Sequence, residues 1–155
     1  MTQHNDNKYC DNQRVNDLLI AYERLAEAKH IRFEVERGLD VREVAPVSDD
    51  DLAAVFRIAL NHAIAGCEAL PEDRERFIQV WGESFPKWIM GVVHSSAPVK
   101  LECKWGRPLE ISPEMEYLFT TLERQDMMVG CCCEDGLFRL HFTYRPPSQD
   151  YAHNR

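Results

Sequence analysis

Two neighbouring polar residues, Asn61 and His62, stand in the segment LNHAIAGCEAL. An amide oxygen can ligate a hard cation such as Mg²⁺, whereas a neutral imidazole prefers softer metals. These two residues are the first candidates for a binding site. The alternative is that Asn61 and His62 are only polar residues on a solvated stripe of a helix.

The six cysteines and six histidines also suggest metal or thiol chemistry. Cys131, Cys132 and Cys133 are consecutive on a predicted strand, so the middle thiol faces away from the other two, and no C-x₂-C spacing is present. We interpret these thiols as small hydrophobic residues and assign no metal site. A catalytic pair of Cys67 with His62 is disfavoured, because positions i and i+5 of a helix do not face each other.

Length and charge exclude several classes of protein. A chain of 155 residues fits one domain. The excess of 26 acidic over 18 basic residues, with no basic cluster, argues against nucleic acid as a partner. No segment approaches the roughly 20 apolar residues of a membrane span, and the N-terminus lacks the features of a secretory signal. We therefore expect no transmembrane segment, a cytoplasmic location, either as a free protein or as the cytosolic part of a membrane receptor, and reduced thiols.

Hydrophobic periodicity predicts the elements of the first half. Apolar residues at intervals of three and four predict a helix from about Tyr9 to His30, and alternation over 31–35 predicts a strand. Ser48 is a predicted N-cap of a helix that runs to about Leu70, where Pro71 blocks it. The inner stripe of this helix is Leu52, Val55, Phe56, Ala59, Leu60, Ala63 and Cys67. An adjacent stripe carries Ile58, His62 and Ala65, and faces either a partner element or a pocket.

The second half is predicted to be mainly strands. FIQVWGES and KWIMGVVHS read as two strands joined through Pro86, and KLECKW as a further short one. Ser112 followed by Pro113 predicts a helix that lasts to about Asp126, and Asp135–Gly136 predicts a hairpin between the last two strands. We therefore expect an α/β (α+β) two-layer sandwich, with a mixed, mainly antiparallel sheet and about three helices on one face.

Several motifs resemble one family. YCDNQRVNDLL, then A-x-x-x-x-I-x-F-x-V, then NHAIAGCEALPEDRERFIQV and the closing E-D-G-x-F, resemble the ATP-binding catalytic domain of sensor histidine kinases of the GHKL superfamily. The quorum-sensing branch, with Y-C-x-N…N-x-L-L and N-L-L-D-N-A-I-E-A-C, is the most similar. The resemblance implies the Bergerat ATPase fold over 9–145, between polar tails at 1–8 and 146–155.

The resemblance also locates the nucleotide-site equivalents, and most depart from the family pattern. In the family, an Asn, an Asp, a second Asn and a Glu of this helix face Mg²⁺ and the phosphates. All four residue types differ here. Their equivalents here are Ile58, Asn61, His62 and Ala65. His94 takes the place of the acidic or amide residue that accepts the adenine amino group. The glycine-rich lid falls on 114–118, where Met115 and Tyr117 replace glycines that let backbone N–H groups approach phosphate.

These departures predict a degenerate domain. We expect no catalytic residue, no useful binding of the family's ATP and Mg²⁺, and no kinase activity in isolation, so that the chain would act by interaction or regulation in two-component signalling. Partners would be a kinase dimerisation domain or a response regulator. One alternative is an active kinase domain with atypical ligands. Another is small-molecule or peptide binding in a vacated cleft lined by Ile58, His62, Ala65, Met90 and Tyr117.

The resemblance implies an upstream helical hairpin with a phosphoacceptor histidine, which the residues before the first predicted helix are too few and too polar to supply. We expect that His4 is not that acceptor. The chain is then either a fragment of a longer receptor or a standalone relative.

Overall fold

The computed structural model describes most of the predicted domain. The described residues are 8–36, 39, 47–83, 88–96, 103–104, 107–108 and 112–144. The predicted tails, apart from Lys8, and the predicted turn at Pro86 lie outside them.

The described residues contain three helices, each begun by a polar cap. They are α1 (Gln13–Ala28), α2 (Asp49–Glu68) and α3 (Pro113–Arg124). The side chains of Asn12, Ser48 and Ser112 accept hydrogen bonds from backbone N–H groups of the first turns. The predictions of Ser48 and Ser112 as caps are confirmed. The helix predicted from Tyr9 begins later, because Asn12 caps it.

The strands form one large sheet and one small one. They are β1 (Arg32–Val35), β2 (Phe77–Glu83), β3 (Trp88–Ser95), β4 (Cys103–Lys104), β5 (Arg107–Pro108), β6 (Met128–Glu134) and β7 (Leu137–Tyr144). The large sheet has the order β1-β2-β3-β7-β6, with β1 parallel to β2 and all other neighbours antiparallel. β4 and β5 pair separately, and β5 was not predicted.

The turn between β6 and β7 is the predicted hairpin. Asp135 and Gly136 both have positive φ, at 53° and 79°, as a two-residue type I′ turn requires. The turn sets the register in which Cys133 faces Phe138 and Cys131 faces Leu140. It therefore determines which residues of β7 point toward the helices.

The core lies between the helices and one face of the large sheet. All seven residues of the predicted inner stripe of α2 are buried. They pack with the inward-facing residues of the central strands, including Val80, Val92 and Leu140. The predicted two-layer α/β sandwich, with a mixed sheet, is confirmed.

Candidate functional site

The second stripe of α2 becomes more exposed along the chain. Ile58 is buried at 8% exposure and belongs to the core, His62 is half-buried, and Ala65 is exposed to solvent. Only His62 therefore faces the sheet with a group that can bind or donate. The predicted alternative, a purely solvated polar stripe, is wrong for His62 because its ring contacts the sheet.

His62 meets His94 across the boundary between helix and sheet. Nδ1 of His62 lies 3.3 Å from Nε2 of His94. His94 sits near the end of β3, only 1% exposed, in register with Ile78 of β2 and Phe138 of β7. The structure thus joins two residues that are 32 positions apart in sequence.

The hydrogen bonds of His94 define its tautomer. Its Nδ1 lies 3.1 Å from the carbonyl oxygen of Ser95, which can only accept. The proton of neutral His94 is therefore on Nδ1, and the lone pair of Nε2 points toward His62. In the neutral pair, Nδ1–H of His62 donates to that lone pair.

An aromatic ring and a glycine enclose the two imidazoles. The Phe138 ring lies 4.5 Å from His62 and 5.0 Å from His94, centroid to centroid, and stacks on the latter at 23°. On the helix side, a Cβ at Gly66 would come within 2.5 Å of Cε1 of His94. The family pattern has Ala at the Gly66 position, so this glycine leaves room for the His94 ring.

Both imidazoles are held in the neutral form. The pKa of His94 is lowered to about 4, mainly by burial. The hydrogen bond to Ser95 raises this pKa, and the nearby His62 lowers it. Burial also lowers the pKa of His62 below its usual value. At neutral pH the pair is uncharged and offers no cation to a phosphate group.

Asn61 is bound to a different partner. Its side-chain oxygen accepts a hydrogen bond from the Tyr22 hydroxyl of α1. That oxygen is the one that a cation would need, so the bond competes with the ligand role implied by the resemblance. Asn61 is exposed and helps to join α1 to α2.

The segment equivalent to the glycine-rich lid is a regular helix. Residues 114–118 form the start of α3, where Pro113 has no N–H and the N–H of Met115 donates to the Ser112 side chain at 3.2 Å. Met115 is buried, whereas Tyr117 is 46% exposed. The carboxylates of Glu114 and Glu116 add negative charge at the same helix end.

Cys67 does not join the histidines. Its thiol lies 3.4 Å from the carbonyl oxygen of Phe77 and 3.5 Å from that of Ser95, and burial raises its pKa above the usual value. A neutral, hydrogen-bonded thiol is a poor nucleophile, so no cysteine–histidine pair forms here. Of the consecutive cysteines, Cys131 is buried and Cys132 exposed, as the predicted alternation requires.

Magnesium does not fit the described donor set. Ile58 and Ala65 have no donor atom, Asn61 is hydrogen-bonded, and neutral imidazole is a poor ligand for a hard cation. Within the described ranges, no group of three His, Cys, Asp or Glu residues could hold a metal ion. Of the residues predicted to line a vacated cleft, Met90 is fully buried, whereas Ala65 and Tyr117 lie at the surface.

Sequence reasoning missed three residues of this site. Phe138 stacks on the histidines, Gly66 makes room for His94, and Tyr22 binds Asn61. The inward face of β7 could be predicted from its alternation, but not which residue of β3 it would oppose. The replacement of Ala by Gly at position 66 was the one visible signal, because a helix interior disfavours glycine.

Comparison with known proteins defines the fold. No protein-family model and no curated protein matches the sequence. The structure is similar to the catalytic domain of histidine kinase ThkA, at 12% identity and a TM-score of 0.67 over 87% of this chain and 91% of that one. It is also similar to the histidine kinase domain of the blue-light activated kinase EL346 of Erythrobacter litoralis, at 12% identity and a TM-score of 0.65, over 94% of this chain and 65% of that one.

A third similar structure shows ThkA in complex with the response regulator TrrA, at 13% identity and a TM-score of 0.67 over 91% of this chain and 42% of that one. At such identities the likeness establishes the fold, which is that of histidine kinase catalytic domains. Among the helices that the structure describes, none has the length and apolar character needed to cross a membrane.

Proposed function

We propose that residues 9–145 form the ATP-binding-type domain of a sensor histidine kinase that has lost useful nucleotide binding, and that it acts by interaction or regulation in two-component signalling. One observation carries the proposal. His62 and His94, which replace the ligand of magnesium and the acceptor of adenine, contact each other at 3.3 Å. Phe138 stacks on the pair, so imidazole rings occupy the space between α2 and β3.

Electrostatics support the same proposal. ATP brings several negative charges, but the two imidazoles are neutral and the start of α3 carries Glu114 and Glu116. Each unsatisfied polar group at a closed site costs about 1–3 kcal/mol, so the loss of several ligands weakens binding by several powers of ten.

Partners of the proposed domain would be signalling domains. ThkA forms a complex with a response regulator, and the present chain shares the fold of its catalytic domain. A response regulator or a kinase dimerisation domain is therefore the class of partner that we propose. The domain would act in the cytoplasm.

A nucleotide titration tests the loss of binding. We expect no heat of binding and no shift of the thermal unfolding midpoint with millimolar ATP or ADP, with or without Mg²⁺. The His62→Asn variant, which restores the family's amide at one ligand position, is the matched comparison and should remain unable to bind because Ile58 and Ala65 are unchanged. Micromolar, magnesium-dependent binding by the unaltered protein would contradict the proposal and favour an active kinase domain with atypical ligands.

A further inference from the structure

A cluster of reactive and charged side chains lies on the face of the large sheet that is turned away from the helices. Cys132 of β6 and Arg139 of β7 are direct partners across the β6–β7 ladder, and both are exposed. Arg139 follows Phe138, which faces the histidines, so Arg139 points to the other side of the sheet. The Cβ atoms of such cross-strand partners lie about 4.5–5.5 Å apart. An exposed thiol therefore lies beside a guanidinium cation.

This cluster encloses a small surface cavity of about 170 Å³, which is lined by Cys132, Glu134, Asp135, Leu137 and Arg139. Pockets for drug-sized ligands measure about 300–1,000 Å³, so this cavity fits a group of the size of an amino acid. None of the ion pairs between described residues includes Arg139, Glu134 or Asp135. A ligand with both a carboxylate and an ammonium group can therefore pair with Arg139 and with an acidic side chain at the same time.

The two flanking cysteines do not share this cavity. Cys131 is 4% exposed and belongs to the core, and Cys133 is half-buried and packs against the core. Because side chains alternate along a strand, both thiols point to the face opposite that of Cys132. Neither flanking thiol can therefore displace a group bound to the Cys132 sulfur. A mixed disulfide at Cys132 would persist until a thiol from solution attacks it.

We propose that Cys132 is a site of reversible S-thiolation by low-molecular-weight disulfides of the zwitterionic peptide class, and that Arg139 binds a carboxylate of the reagent. The Cys132 thiolate attacks one sulfur of the disulfide, and the bond between the two reagent sulfurs breaks. The released thiolate takes up a proton in place of the one that Cys132 lost. The Cys132 sulfur is oxidised and one reagent sulfur is reduced, so no further reactant is needed.

This inference goes beyond the proposed function. The cavity and the imidazoles of His62 and His94 lie on opposite faces of the sheet, so thiolation at Cys132 does not depend on the loss of ATP binding.

The test incubates the reduced protein with glutathione disulfide and follows the intact mass over time. We expect one glutathionyl group per chain, and fragmentation of the peptides should locate this group on Cys132. Cys132→Ser should abolish the addition. Cys133→Ser, the matched change on the other face of the same strand, should leave its rate unchanged. Both substitutions exchange a thiol for a hydroxyl of similar size, and circular dichroism checks that the variants are folded.

A pair of reagents separates recognition by the cavity from simple exposure of the thiol. Hydroxyethyl disulfide undergoes the same exchange but carries no charge, so any general change in the reactivity of Cys132 affects both reagents. In Arg139→Gln, the rate with glutathione disulfide should fall about threefold to fivefold relative to the rate with hydroxyethyl disulfide, as expected for the loss of one exposed ion pair.

The proposal would be overturned by an absence of addition, by addition at a cysteine other than Cys132, or by the same ratio of the two rates in Arg139→Gln as in the unaltered protein. A dimer linked through Cys132 in place of the mixed disulfide would also overturn it. None of these results bears on nucleotide binding, so the two proposals fail separately.

Discussion

The two stripes of α2 differ in their burial and in their contacts. The inner stripe, which includes Phe56 and Leu60, is fully buried and packs in the manner that its periodicity predicts. The adjacent stripe places an imidazole where the family resemblance implies a magnesium ligand, and that imidazole contacts His94. The comparison teaches that packing residues can preserve a fold while a neighbouring row carries side chains of a different chemical type.

Removing a packing residue should produce the largest effect. Phe56 is fully buried and makes an edge-to-face contact with Phe142, with ring centroids 6.0 Å apart. We expect Phe56→Ala to lower the free energy of unfolding by about 3–5 kcal/mol. Urea denaturation followed by circular dichroism measures this, and a loss below about 1 kcal/mol would remove the distinction between the two stripes.

Acid should act on the two imidazoles, His62 of the second stripe and His94 of β3. Unfolded His94 takes up a proton below its ordinary pKa of 6.5, whereas the folded protein resists protonation down to about 4. Stability is therefore complete above about pH 6.5 and falls as the pH approaches 4, by up to about 3 kcal/mol. The lowered pKa of His62 adds a loss in the same direction.

Denaturation of the protein between pH 7 and pH 4 measures this loss. His94→Asn cannot titrate at this position and should show a smaller loss over the same range. An equal loss in the variant would mean that other groups cause the pH dependence.

The glycine between the two stripes should show a smaller, conditional effect. Gly66→Ala places a methyl group within 2.5 Å of Cε1 of His94, and we expect a net destabilisation of about 1–2 kcal/mol. In a His94→Asn background the clash disappears, and the helix preference for alanine should make the same substitution stabilising by up to about 1 kcal/mol. Denaturation of the four proteins tests this change of sign, and its absence would show that the ring does not need the glycine.

The exposed end of the second stripe should be nearly neutral. Ala65→Glu restores the family residue at an exposed position, and we expect a change within about 0.5 kcal/mol. The same variant should not gain binding of ATP with Mg²⁺, since Ile58 still lacks a donor. Thermal unfolding with and without nucleotide measures both the stability and the nucleotide binding of the variant. A gain of binding would mean that one carboxylate is enough to restore the site.

Most of the fold could be predicted from local patterns. Alternation with a period of two locates the strands, and the helical period locates the buried stripe of α2. Ser48 and Ser112 cap their helices, and Asp135–Gly136 forms a turn, because their side-chain and backbone chemistry favours these roles. The small β4–β5 pair was not predicted as a pair, because strands of two residues have no periodicity. The later start of α1 was not predicted, because it depends on the hydrogen bond that the Asn12 side chain accepts from the N–H of Val15.

Only part of the site could be predicted. The resemblance selected His62 and His94, but their contact depends on the packing of α2 against β3, which a single sequence does not specify. Phe138 joins them through the register of β3 with β7, which is a long-range property. Residues at a distance in sequence therefore complete a site whose first members were visible at once.

A nuclear magnetic resonance titration with ATP and Mg²⁺ tests the central claim most directly. The signals to follow are the backbone amide of Gly66 and the ring signals of His62, His94 and Phe138. We predict that millimolar Mg²⁺–ATP leaves all of them unchanged, because the rings already fill the space between α2 and β3. Saturable shifts of these signals at micromolar nucleotide would contradict the account.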